Sequence, residues 1–264
     1  MLSGKVAVIY GGGGVIGGHV ARSFAREGAQ VVIAGRTQEK LDRVVDDIRA
    51  AGGTATTAVV DALDPAAVER FLDGVMASVG RLDVSFNATG EDQSDFGIPL
   101  IDIDPERFGT ILTTWTRSLF VTATAAARRM GPAGGGIILT ISSSVAQMPD
   151  AMSGGLHSAC IAVEAMSRQM AQEFGSQGIR VVCIRPDGIS ESAGMGSITA
   201  AVWTRAMGRM GSSLDEMLDN PEETAMGRTV SLAEVVDTAT FLASGRASGI
   251  SGTVVNVSVG NIRD

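Results

Sequence analysis

Seven short runs of β-branched and apolar residues punctuate the chain, at residues 5–10, 31–34, 55–60, 82–86, 137–141, 179–184 and 253–257. Between them lie longer segments whose apolar positions recur with a helical period, at 16–26, 38–51, 65–79, 108–130, 157–174 and 231–243. The run Val6-Ala7-Val8-Ile9-Tyr10 is apolar at every position, the pattern of a strand covered by helices on both faces. Regular alternation of strand and helix predicts an α/β fold, a doubly wound and mostly parallel Rossmann-like sheet forming a single domain over residues 1–264. Two helix starts carry their own chemistry: Asp64-Pro65 opens one, and Ser231 with Glu234 spells a capping box at another. Only residues 187–228, rich in Gly, Ser and Met, break the pattern, and they are read as a substrate lid.

At 264 residues and 27.1 kDa the chain has room for one large α/β domain. Its mean hydropathy of +0.23 excludes disorder. The net charge of −8 disfavours nucleic acid and anionic membrane surfaces as partners. Cys160 and Cys183 make no disulfide framework, and His19 and His157 no zinc-ligand spacing. No window approaches the ~18 apolar residues needed to span a bilayer, and residues 6–10 are too short for a signal peptide. The expectation is a soluble cytoplasmic protein without a metal.

Directly after the first strand, Gly12, Gly14 and Gly17 match G-x-G-x-x-G in its strand-turn-helix setting. Glycines there permit a tight turn and bring backbone N–H groups and a helix N-terminus against a pyrophosphate. At the end of the second strand, where a carboxylate would bind the ribose 2′-hydroxyl of NAD, stand Gly35 and Arg36. A guanidinium without a neighbouring carboxylate suits a 2′-phosphate, so NADP(H) is the expected cofactor. The other reading of Arg36 is a solvated surface arginine.

From Gly4 to its C-terminus the sequence resembles the short-chain dehydrogenase/reductase family. The family's T-G-x-x-x-G-x-G turn appears with Tyr10 for Thr, Gly11 kept, Val15 for Gly, and Gly17 kept. Asp61 matches the acid that contacts adenine, and Asn87-Ala88-Thr89-Gly90 stands where the family has N-N-A-G. Gly178-Ile179-Arg180-Val181 and the closing Ser251-Gly252-Thr253-Val254-Val255-Asn256-Val257 are also family-like. The resemblance implies cofactor contacts from Gly11, Gly12, Gly14, Ile16, Gly17, Arg36, Asp61, Asn87 and Pro186. It further implies a homodimer or homotetramer built through helices 108–130 and 157–174.

The catalytic positions depart from the family. Its site serine aligns with Ser143, which places Leu156 where a Tyr transfers the proton and Cys160 where a Lys tunes that Tyr. Trp115 falls at the relay Asn. A register shifted by one would start from Ser144 and bring His157 to the Tyr position and Ile161 to the Lys position. In either register the Tyr and Lys are absent. Positioned general-acid catalysis is worth ~10²–10⁴ in rate, so protonation needs another source. Candidate catalytic residues are Ser143 as a hydrogen-bond donor, His157 as a proton carrier or a plain helix-start residue, and Asp187 as an acid or a turn residue. Cys160 is either a helix-start thiolate or a small packed hydrophobe. Trp115 and Leu156 would floor an apolar substrate pocket. Met195, Trp203, Met207, Met210, Met217 and Met226 would line the lid, or simply pack.

Three functions fit these residues. The first is an atypical NADP(H)-dependent reductase or dehydrogenase of an apolar small molecule, transferring hydride where protonation is easy, as with an imine or activated alkene. The second is a redox-neutral isomerase, cyclase or lyase on the same scaffold. The third is a catalytically inactive cofactor-binding or partner protein.

Overall fold

The computed structural model describes residues 1–90, 95–148, 153–195, 198–213 and 224–262. Strand β1 (Val6–Tyr10) feeds helix α1 (Val15–Arg26), followed by β2 (Gln30–Gly35), α2 (Gln38–Ala50), β3 (Thr54–Val59), α3 (Pro65–Val79) and β4 (Val84–Asn87). The second half runs through α4 (Pro105–Met130), β5 (Gly136–Ile141), α5 (Leu156–Phe174) and β6 (Ile179–Pro186). It ends with α6 (Glu191–Gly194), α7 (Ile198–Met210), α8 (Leu232–Ala243) and β7 (Thr253–Val257). The strands form one sheet in the order β3-β2-β1-β4-β5-β6-β7, and every pairing is parallel. The sequence pattern allowed for some antiparallel pairing; the sheet has none.

Side chains alternate across the sheet, so β1 divides between two cores. Val6, Val8 and Tyr10 pack with α3, α4 and α5, while Ala7 and Ile9 pack with α1, α2 and α8. Strand order reverses between β1 and β4, which opens a crevice at the C-terminal ends of the strands where ligands of such sheets bind.

Local chemistry sets the helix starts. Asp64 Oδ1 accepts from the Ala66 and Ala67 N–H groups at 2.9 and 3.1 Å ahead of Pro65. Asp104 does the same for Glu106 and Arg107 ahead of Pro105. Helix α4 therefore begins three residues before its apolar pattern does, because a cap and not an apolar position starts it. Ser231 and Glu234 close the expected capping box on α8.

Part of the presumed lid is core. Val202, Ala206 and Met207 of α7 are buried with the α3–α5 layer, and the Trp203 ring lies 4.5 Å from that of Phe96. A side chain at Gly97 (φ +83°) would stand 2.8 Å from the Ala206 Cα, so the loop after β4 fits α7 only with glycine there. Met207 is thus packing, the second of the two readings open for it. Met195, Met210 and Met226 are exposed, and Met217 lies outside the described residues.

Candidate active site

The turn between β1 and α1 is closed to side chains. A Cβ at Gly11, which has φ +72°, would sit 2.4 Å from the Ala88 carbonyl oxygen, and one at Gly12 would sit 2.1 Å from Ile33 Cγ2. A Cβ at Gly17 would sit 2.5 Å from the Gly11 oxygen. Helix α1 has Gly14 as its N-cap and no side chain capping it, so its first N–H groups stay available to a phosphate. The two departures from the usual turn leave it open. Tyr10 turns its ring edge-on to Phe71 of α3, at 5.9 Å between centroids. Val15 packs partly buried toward the α1–α2 core, as does Ile16. This cradle fits a dinucleotide pyrophosphate.

Arg36 is exposed at the end of β2 and has no hydrogen bond or ion pair among the described residues. Lys40 of α2 lies against the glycine turn itself: a Cβ at Gly13 would be 2.9 Å from the Lys40 Cβ. Lys40 escaped the sequence reading, although its spacing from Arg36 was visible. Asp61 is exposed and caps its own turn through Leu63 N–H at 2.9 Å. Asn87 has an indirect place. Its Nδ2 donates to Thr122 of α4 at 3.0 Å and its Oδ1 accepts from Thr89 N–H at 2.9 Å. It therefore ties the end of β4 to α4 rather than facing outward. Pro186, buried, is the last residue of β6 and lies beside Val257.

The three serines after β5 differ in their partners. Ser142 Oγ donates to Glu164 Oε1 at 2.8 Å. That buried carboxylate is also gripped by Arg185, with Nε to Oε1 at 2.7 Å and Nη2 to Oε2 at 2.9 Å. Ser144 Oγ donates to Asp187 Oδ1 at 2.6 Å, and Asn261 Nδ2 donates to Asp187 Oδ2 at 2.6 Å. Ser143, half-buried on extended backbone, has no side-chain partner among the described residues. Of the three hydroxyls it alone is free to meet a ligand. Asp187 uses both oxygens as acceptors, which is a restraint and not the pose of a free acid.

His157, the second residue of α5, is half-buried with Nδ1 2.5 Å from the Val145 carbonyl oxygen. A carbonyl only accepts, so Nδ1 carries a hydrogen and Nε2 is the nitrogen left for other chemistry. Leu156 is buried against the α3–α5 core. Trp115 is 9% exposed, and its indole N–H has no partner among the described residues. Cys160 is fully buried, and loss of solvation pushes its thiol well above the usual range. Burial outweighs the helix N-terminus, so of the two readings of Cys160 the small packed hydrophobe is the one the packing favours, and it does not stand as a catalytic thiolate. Cys183 is likewise buried and pushed up to about 12. Neither cysteine should react with Ellman's reagent in the native protein at pH 8, and both should react after unfolding. One rapid native equivalent would reinstate Cys160 as a reactive group.

The family model described as Enoyl-(Acyl carrier protein) reductase matches residues 13–261. The chain belongs to the short-chain dehydrogenase/reductase family of oxidoreductases. This short-chain dehydrogenase/reductase is 28% identical over 264 residues to 7alpha-hydroxysteroid dehydrogenase of Escherichia coli strain K12, covering 100% of this chain and 96% of the relative. It is 28% identical over 262 residues to the peroxisomal 2,4-dienoyl-CoA reductase of Mus musculus, covering 99% and 85%. A solved structure of 7 alpha-hydroxysteroid dehydrogenase complexed with NADH and 7-oxo glycochenodeoxycholic acid matches the fold with a TM-score of 0.85. The identity there is 27%, over 100% of this chain and 96% of that one. Among the described residues of this short-chain dehydrogenase/reductase no helix is long and apolar enough to cross a membrane. No group of three or more His, Cys, Asp or Glu among them could hold a metal ion.

Proposed function

We propose that the protein is an NADP(H)-dependent reductase of an apolar small molecule with an activated double bond, using proton handling unlike the family's usual Tyr and Lys. The observation that carries this reading is the uncapped glycine turn with Arg36 exposed and unpaired beside it. Gly11, Gly12, Gly14, Ile16 and Gly17 would hold the pyrophosphate, and Arg36 with Lys40 the 2′-phosphate. Asp61 would face the adenine, while Asn87 and Pro186 shape the walls. A bound nicotinamide dinucleotide supplies hydride. Ser143 would donate to the substrate oxygen, and His157 would carry the proton through Nε2. The chain's only tyrosine, Tyr10, is committed to the core. Without a phenol to protonate an alkoxide, a conjugated alkene is the better acceptor, because its charge spreads onto the oxygen facing Ser143. Likeness to a dienoyl-CoA reductase and to the enoyl reductase family model supports an alkene. Trp115 and Leu156 would supply the apolar floor. Exposed Phe120 on α4 and Ile161 on α5 support assembly as a homodimer or homotetramer through those helices.

The test is a titration with NADPH, NADP⁺, NADH and NAD⁺, followed by calorimetry, then NADPH oxidation with 2-cyclohexen-1-one and with cyclohexanone. Arg36→Ala should weaken NADPH about 10–100-fold, the loss of hydrogen bonds to a charged group worth about 1.5–3 kcal/mol, and leave NADH within about twofold. Equal affinity of the wild type for all four forms would remove the NADP assignment. Binding without oxidation of either acceptor would favour a redox-neutral enzyme on this scaffold. No binding at all would favour a partner protein.

A further inference from the structure

Past β7 the chain makes a turn that its sequence does not favour. Val259 has φ +47° and is the one non-glycine residue with positive φ among the described residues. A β-branched side chain in the left-handed region is strained, and such strain persists only where surrounding bonds over-determine it. Here they do. The Met226 N–H donates to the Val259 carbonyl at 3.1 Å, and the Ile262 N–H donates to Ser258 Oγ at 3.1 Å. What the strained turn presents is Asn261, whose Nδ2 lies 2.6 Å from Asp187 Oδ2. The other oxygen of that carboxylate holds Ser144.

We infer that Asn261 is a positioning residue of the active site, acting through Asp187 to fix Ser144 and thereby the backbone that presents Ser143. The turn after β7 then belongs to the site as its support. Asp187 serves as the shared acceptor of two donors, which leaves proton transfer to His157 and solvent. A carboxylate gripped from both sides keeps the Ser144 hydroxyl turned away from the ligand, so the two neighbouring hydroxyls do not compete for one substrate oxygen. Supporting partners of this kind matter because a misplacement of about 1 Å can cost ~10²-fold in rate.

The inference rests on the proposed role of Ser143, and its test separates the two ideas. The first arm uses full-length ¹⁵N-labelled protein with NADPH and no substrate. The Asn261 side-chain amide resonance, assigned by its loss in Asn261→Ala, should shift in Ser144→Ala and shift further in Asp187→Asn. An amide that ignores both variants overturns the inference. The second arm follows oxidation of NADPH by 2-cyclohexen-1-one. Ser144→Ala and Asn261→Ala should each lower kcat about tenfold, with NADPH affinity within about twofold of wild type. The double variant should be no worse than the poorer single one, because both act through Asp187, and Ser144→Thr should restore most of the rate. Additive losses, or unchanged kcat in both single variants, would overturn the positioning role. A wild type that fails to oxidise NADPH while the amide shifts are present defeats the hydride reading and supports the anchor.

Discussion

Replacing Glu164 with alanine is expected to destabilise the protein by about 3–5 kcal/mol, the usual cost of breaking a buried ion pair by removing one member. Both carboxylate oxygens of Glu164 face Arg185, and both side chains are 3% exposed. Truncating the acid removes the carboxylate that Arg185 Nε and Nη2 both hold and the acceptor of Ser142. Glu164→Gln keeps that acceptor but not the charge and should fall between wild type and alanine. A double replacement, Glu164→Met with Arg185→Met, should recover part of the loss, because well-packed apolar side chains often replace a buried ion pair at little cost. Urea melts of the four proteins, read by circular dichroism, decide it. An alanine variant within about 1 kcal/mol of wild type would mean that the pair is solvated and contributes little.

The fold was legible because each layer writes a local pattern. Val6 to Tyr10 is apolar on both faces, and Asp64-Pro65 marks its helix start without help from distant residues. The glycine turn was legible for the same reason, since its chemistry lies within eight residues of one strand end. The three serines were not. Ser142, Ser143 and Ser144 are identical as letters, and what separates them is a carboxylate 22 residues away for one and 43 away for another. Asn261 meets Asp187 across 74 residues, so no spacing rule reaches it. Cys160 stayed open between thiolate and packing because the signal for an activated thiol, a helix start, is local, whereas the burial that silences it comes from tertiary contacts. In this chain, local spacing specifies the glycine turn, and tertiary partners distinguish the three serines.

The three serines therefore yield the sharpest comparison of activities. Ser143→Ala should lower kcat for the alkene probe by about 10²–10³, the loss measured elsewhere when one preorganised donor to a developing oxyanion is removed. Its hydroxyl bonds to no other described residue, so the variant should keep the wild-type melting curve and NADPH affinity. Ser142→Ala should show the opposite pattern. It removes a buried donor from Glu164, costs about 1–3 kcal/mol of stability, and changes kcat much less. Ser144→Ala lies between them, with the tenfold loss expected of a positioning group. Measuring kcat, cofactor affinity and melting on all three variants assigns the serines in one experiment. A Ser142 or Ser144 variant with the largest fall in kcat would move the substrate contact to that residue. It would also require a ligand that displaces Glu164 or Asp187 from its present donor.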